Sequence, residues 1–180
     1  MHLLSIDPSL RGLGLFSISP DSLEYSSLVL KTDSTLSLAQ RCAQIVDFLE
    51  VNYASLARFV LLEDYFVSRR RISTSAKLAY LQASIVVGFC FAHRIPYCII
   101  HPSWLRSAFR LSKGNKIIDQ YPGLVAKVFP DRVPSSDEVD AFGLYEIFAS
   151  RYNLYRFSSL DFGSVPDRLI VSSSILPKTL

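Results

Sequence analysis

The chain has 180 residues, of which 49% are apolar and 19% charged, and carries a formal net charge of +3. That composition suits one folded domain with a substantial core and excludes a disordered chain. The longest apolar run, residues 85–92, contains Gly88 and Cys90 and is too short to cross a bilayer. Asp7 interrupts the N-terminal apolar run before a secretory signal can form. An intracellular, cytoplasmic protein with no membrane partner is therefore expected. Cys42, Cys90 and Cys98 are odd in number and lack C-x-x-C spacing, so they read as buried thiols in a reducing compartment. The mildly basic balance permits a nucleic-acid partner without requiring one.

Residues 2–6 are a short apolar run suited to a central strand, closed by Asp7. The S-L-R-G-L-G stretch reads as a turn with two glycines, and residues 13–19 alternate enough for a second strand. After the S-P-D-S turn, residues 24–31 read as a third strand, completing an antiparallel meander. Asp33 or Ser34 is placed to cap a helix whose apolar positions Leu36, Ala39, Cys42, Val46, Leu49 and Tyr53 step by three or four. Residues 58–63 form a fourth strand, nearly all apolar, as a strand covered on both faces should be.

Residues 73–93 have helical length and an apolar face too broad for one sheet alone, so part of it is expected in a dimer interface. Residues 96–100 read as a fifth strand and 103–109 as a short helix. A further helix over 113–128 is broken at Tyr121-Pro122-Gly123. The last helix, 135–152, opens with Ser135 and Glu138 at the spacing of a capping box. This order predicts an α/β fold: a mixed five-stranded sheet, antiparallel meander plus parallel strands, flanked by helices. It forms one domain over 1–152, followed by a C-terminal extension over 153–180.

Four acids stand out. Asp7 and Glu63 each close a buried strand, where an unneutralised carboxylate is expensive. Asp137 and Asp140 are three apart near the start of the last helix and share a face, while Glu138 points elsewhere. Taken singly, each has a bland explanation: an Asx turn for Asp7, an exposed strand end for Glu63, an N-terminal helix charge for Asp137. Together they predict a convergent cluster that raises its own pKa values unless cations bind. Two Mg²⁺ ions would neutralise it, one activating a water and the other stabilising the leaving 3′-oxygen of an in-line displacement.

Basic residues fall in two groups around these acids. Arg69, Arg70 and Arg71 follow Phe66 just after Glu63, and Arg106, Arg110, Lys113 and Lys116 lie between the fifth strand and the last helix. A basic run is usually a solvated face. Arginines beside an aromatic and a metal-ligand candidate, however, suit phosphate contact and stacking on an unpaired base. His93, near a helix C-terminus, and His101, at the end of the fifth strand, carry less weight. Trp104 reads as core or dimer contact.

These residues resemble the RuvC-type Holliday junction resolvases of the ribonuclease H-like superfamily. The opening strand with I-D-P and a glycine-containing turn matches L-L-S-I-D-P-S-L-R-G-L-G, with Ser9 in place of a glycine. An acid in an apolar strand followed by an aromatic matches L-L-E-D-Y-F, and D-x-x-D-A at a helix start matches D-E-V-D-A. The resemblance covers about residues 2–152, and its departures suit a divergent viral or phage relative. It implies that Asp7, Glu63, Asp137 and Asp140 are metal ligands for Mg²⁺ or Mn²⁺. It further implies that Phe66 stacks on a base at an opened junction, that Lys116 lies near the scissile phosphate, and that Arg106 contacts DNA. The implied protein is a homodimer that cuts opposed strands of a four-way junction. Within the same superfamily the alternatives are a flap or fork endonuclease and an RNA-processing nuclease. Outside nucleases they are a small ATPase-type domain, for which no second phosphate loop is present, and a non-catalytic DNA-binding protein, which would gain nothing from four clustered acids.

Overall fold

The structure, a computed structural model, describes residues 2–65 and 72–160. Five strands form one sheet in the order β3-β2-β1-β4-β5. β1 (Leu3–Ser9), β2 (Gly12–Ser19) and β3 (Glu24–Lys31) pair antiparallel. β4 (Phe59–Glu63) lies parallel to β1, and β5 (Tyr97–Ile100) lies parallel to β4. The meander followed by crossovers is the predicted topology, and its physical basis is the short turns early in the chain and the helical segments later.

Two details of the first hairpin differ from expectation. β1 does not close at Asp7; it continues to Ser9, paired with β2, while its parallel ladder with β4 stops at Ile6 opposite Leu62. The turn itself is only Leu10 and Arg11, and both glycines lie within β2. Glycine here serves close packing, because a Cβ on Gly12 would stand 2.0 Å from the Leu30 carbonyl oxygen.

Alternation along the strands sorts side chains onto two faces. Leu4, Ile6, Leu13, Leu15, Val60 and Leu62 meet α1 (Leu38–Tyr53) and α2 (Ile72–Ile85). The cap of α1 is Ser37, not Asp33 or Ser34, because Gln40 completes a capping box with it. Asp33 instead holds an Asx turn, accepting from the Thr35 backbone N–H at 2.8 Å. α2 ends in a π-helical turn, Val86–Phe91. The continuous helix Ile72–Phe91 is 20 residues long and, by length and composition, apolar enough to cross a membrane, which counting only the unbroken apolar run had excluded. Leu81, Ile85, Phe89 and Cys90 are nevertheless part of the core beneath the sheet, so that side of the helix covers strands. All three cysteines are free and buried, as expected, and burial pushes the Cys90 and Cys98 thiols up to about 12.

Leu3, Phe16, Ile18, Phe59 and Leu61 point to the opposite face, against α6 (Ser136–Arg151). Three short helices, α3 (Pro102–Ala108), α4 (Ile117–Gln120) and α5 (Pro122–Val128), cover the rest of α6. The expected break at Tyr121-Pro122 is the α4–α5 boundary. Leu154, Phe157 and Leu160, in the stretch expected to form an extension, pack onto this same core. Buried Glu146 secures them, accepting from the Phe157 and Ser158 backbone N–H groups at 2.8 and 3.1 Å and from the Ser158 hydroxyl.

Candidate active site

Strand alternation decides where the first two acids go. Asp7 follows Leu3 and Ser5 on the α6 side of β1, and Glu63 follows Phe59 and Leu61 on the same side of β4. They are the next positions beyond the last parallel pair, so they sit side by side where the parallel ladder between β1 and β4 ends. In a parallel arrangement this is where backbone pairing lapses and side chains open onto a crevice. Glu63 is steadied by Gln82, whose amide donates to the Glu63 carbonyl and to Asp64 Oδ1, each at 3.3 Å. Buried Gln82, on the core face of α2, was not singled out from the sequence; its signal was a polar residue among apolar ones.

The second pair arrives through α6. Ser135 accepts from the Glu138 backbone N–H and Glu138 accepts in return from Ser135, so the capping box forms as expected. Glu138 is held away from the other acids by an ion pair with Arg132, which keeps its carboxyl below the usual range even though burial acts in the opposite direction. The helix start can reach the sheet only because residue 14 has no side chain. A Cβ on Gly14 would stand 2.0 Å from the Asp137 carbonyl oxygen, and Gly14 is the register partner of Asp7. Asp137 is thereby brought against the strand that carries Asp7.

The electrostatics report one cluster. Burial, then the neighbouring charge of Asp137, push Asp7 up to about 6, with relief from Glu63 and Lys116. Glu63 is raised well above its ordinary value by burial, then by Asp7, Asp140 and Asp137. Asp7 and Glu63 act on each other directly: their mutual contact lowers Asp7 and raises Glu63. Burial and Asp7 raise Asp140 to about 7, with Lys116 and Arg106 opposing.

Among the described residues, no group of three or more His, Cys, Asp or Glu side chains is arranged to hold a metal ion as it stands. The donor set nevertheless fits a hard divalent cation. It is all carboxylate oxygen, with Asp7 buried and Glu63, Asp137 and Asp140 half-buried, and the mutual repulsion that raises Asp7, Glu63 and Asp140 is what a cation would relieve.

The basic residues divide. The Lys116 ammonium donates to Ser136 Oγ at 2.8 Å, and that hydroxyl donates to Asp137 Oδ1 at 3.2 Å, so Lys116 stands at the cluster. Ser136 is a second residue not singled out from the sequence. Arg106 acts on Asp140 electrostatically while its guanidinium binds the Ser112 and Asn115 carbonyls at 2.7 and 3.4 Å, fixing the loop before Lys116. Arg110 and Lys113 are exposed around that loop. His101 does not join the acids; its Nδ1 caps α3 by accepting from the Ser103 backbone N–H. His93 pairs with Glu50 at 3.2 Å. Phe66, Arg69, Arg70 and Arg71 lie outside the described residues.

Comparison with known proteins bears on this architecture. No family model and no curated protein matches the chain. Among solved structures, Thermus thermophilus RuvC superposes with a TM-score of 0.62 at 20% identity, covering 85% of this chain and 97% of that one. T. thermophilus RuvC in complex with a Holliday junction substrate gives 0.61 at 20% identity, covering 84% and 96%. The chain has the RuvC fold. That fold is ribonuclease H-like, and its mixed five-stranded sheet with flanking helices is the one predicted from the sequence. At 20% identity the likeness extends over nearly the whole of the RuvC chains.

Proposed function

We propose that this protein is a metal-dependent, structure-selective DNA endonuclease, and specifically a Holliday junction resolvase that cuts opposed strands of a four-way junction. The observation that carries the reading is the convergence of Asp7, Glu63, Asp137 and Asp140 where the parallel ladder between β1 and β4 ends in a RuvC fold. In this reading the four carboxylates hold Mg²⁺ or Mn²⁺, two ions per site. When bound, the ions supply activation of the attacking water and stabilisation of the departing 3′-oxygen. Lys116, presented by its bond to Ser136, contacts the scissile phosphate and offsets the site's negative charge. Arg106, Arg110 and Lys113 contact flanking phosphates, and Phe66 with Arg69, Arg70 and Arg71 engages the opened junction. The nuclease domain comprises residues 1–152, with 153–180 as an extension whose first residues close the core. A DNA-acting protein of this kind works inside the cell. A homodimer is supported by the exposed apolar side chains on the long second helix, with Tyr80, Val87 and Phe91 at 52%, 63% and 62% exposure.

The test is cleavage of a synthetic four-way junction with Mg²⁺ or Mn²⁺, beside linear duplex, flap and RNA–DNA hybrid controls, using wild type and Asp140→Asn. Paired symmetric nicks on the junction by wild type alone are expected. Preferential cleavage of flaps or hybrids would replace the substrate, and cleavage by the variant at the wild-type rate would overturn the site.

A further inference from the structure

Asp137 also lines a groove of about 690 Å³, together with Arg11, Lys31, Thr32, Arg41 and Ser136. Its three cations come from separate places in the chain: the β1–β2 turn, the end of β3 and the first turns of α1. Among the described residues none of the three is in an ion pair. Arg41 is half-buried and fixed in place, with Nη1 donating to the Leu10 carbonyl at 2.8 Å and Nε shielded from solvent. Its Nη2 has no protein partner among the described residues.

Three like charges on one concavity, with Asp137 as the one acid lining it among the described residues, leave an excess of positive charge that an anion would offset. A fixed guanidinium is pre-organised for a phosphate fork, whereas a solvated basic face has no reason to bury one. The volume lies in the range of sites that hold drug-sized molecules, so it accommodates a nucleotide unit rather than an isolated phosphate ion. The groove adjoins the carboxylate cluster, because Asp137 belongs to both.

We propose that this groove, through Arg11, Lys31 and Arg41, holds the phosphodiester backbone of the nucleic-acid strand that passes through the carboxylate site. The inference rests on the nuclease reading and adds to it a backbone contact bounded by β2, β3 and α1. The loops flanking the site on its other sides are not needed for this contact.

The test measures binding of a fluorescent four-way junction in EDTA across a salt series, for wild type, Arg11→Ala/Lys31→Ala and an Arg58→Ala control. Arg11 and Lys31 are exposed, so the double variant keeps its fold. Arg58 is equally exposed but lies at the opposite end of β4 from Glu63. Each lost phosphate contact removes about 0.9 from the slope of log K against log salt. The double variant is expected to lose about 1.8 in slope and roughly tenfold or more in affinity, with the control unchanged. Wild-type binding with an unchanged slope in the double variant would overturn the groove while leaving the nuclease reading intact. A wild type that binds no nucleic acid at all would overturn both.

Discussion

Replacing Gly14 with alanine tests how the site is assembled. The added Cβ would lie 2.0 Å from the Asp137 carbonyl oxygen, 2.2 Å from its carbonyl carbon and 2.9 Å from its Cβ. Ordinary contact begins near 3.4 Å, so β2 and the start of α6 must part by about 1.4 Å. The atoms in the way are mostly helix backbone and cannot rotate aside. Overpacking of this kind costs about 1–3 kcal/mol. For a chain of this size that is a fall in Tm of roughly 2–12 °C. Because Asp137 moves with the helix, a displacement of about 1 Å should also lower cleavage on the order of 100-fold. Thermal unfolding and junction cleavage are measured together, beside Gly123→Ala as control. A Cβ on Gly123 meets nothing within 4 Å, and in a helix it should be neutral or stabilising by about 0.5–1 kcal/mol. A Gly14→Ala protein with wild-type Tm would refute the argument that this glycine sets the distance between Asp137 and the sheet.

Asp140→Asn should stabilise the protein in chelator. The folded-state pKa is raised from 3.8 to about 7, so ionisation costs the folded state nothing below about pH 4 and its full penalty above pH 7. The variant's advantage should therefore grow from pH 4 to pH 8, reaching at most about 4 kcal/mol. Thermal melts across that range check it, and an advantage independent of pH counts against it; added Mg²⁺ should raise the wild-type Tm more than the variant's. Phe157→Ala should cost about 3–5 kcal/mol by denaturant unfolding, since the ring is buried among Phe16, Tyr25, Phe142 and Tyr155.

The four acids were legible because their positions follow from periodicity. Two close apolar runs on the same side of the pleat, and two are spaced three apart on a helix. Lys116 was legible only through resemblance, since a lysine in a loop has no pattern of its own. Gly14 reads from the sequence as part of the S-L-R-G-L-G turn, and only the helix packed against the sheet shows that it marks a close approach. Ser37 was passed over for Asp33 or Ser34, since all three can cap and Gln40 alone distinguishes them. Arg11, Lys31 and Arg41 form no run, so nothing short of the folded sheet could gather them. Likewise, the polar stretch after Tyr152 gave no sign that it would supply core.

That stretch has a practical consequence. Glu146 is fully buried, burial raises its pKa, and the groups that offset this include the Phe157 and Ser158 N–H groups and the Ser158 hydroxyl. A protein shortened after Tyr152 would lose these donors and leave a carboxyl in an apolar interior, beside a vacated slot where Phe157 met Phe16. A version ending at Tyr152 is therefore expected to unfold at lower temperature than one running to Ser158, and Leu160 adds further packing. Any crystallisation or expression boundary drawn at the end of the last helix would yield a molecule whose weakened centre could be mistaken for a defect in the nuclease site.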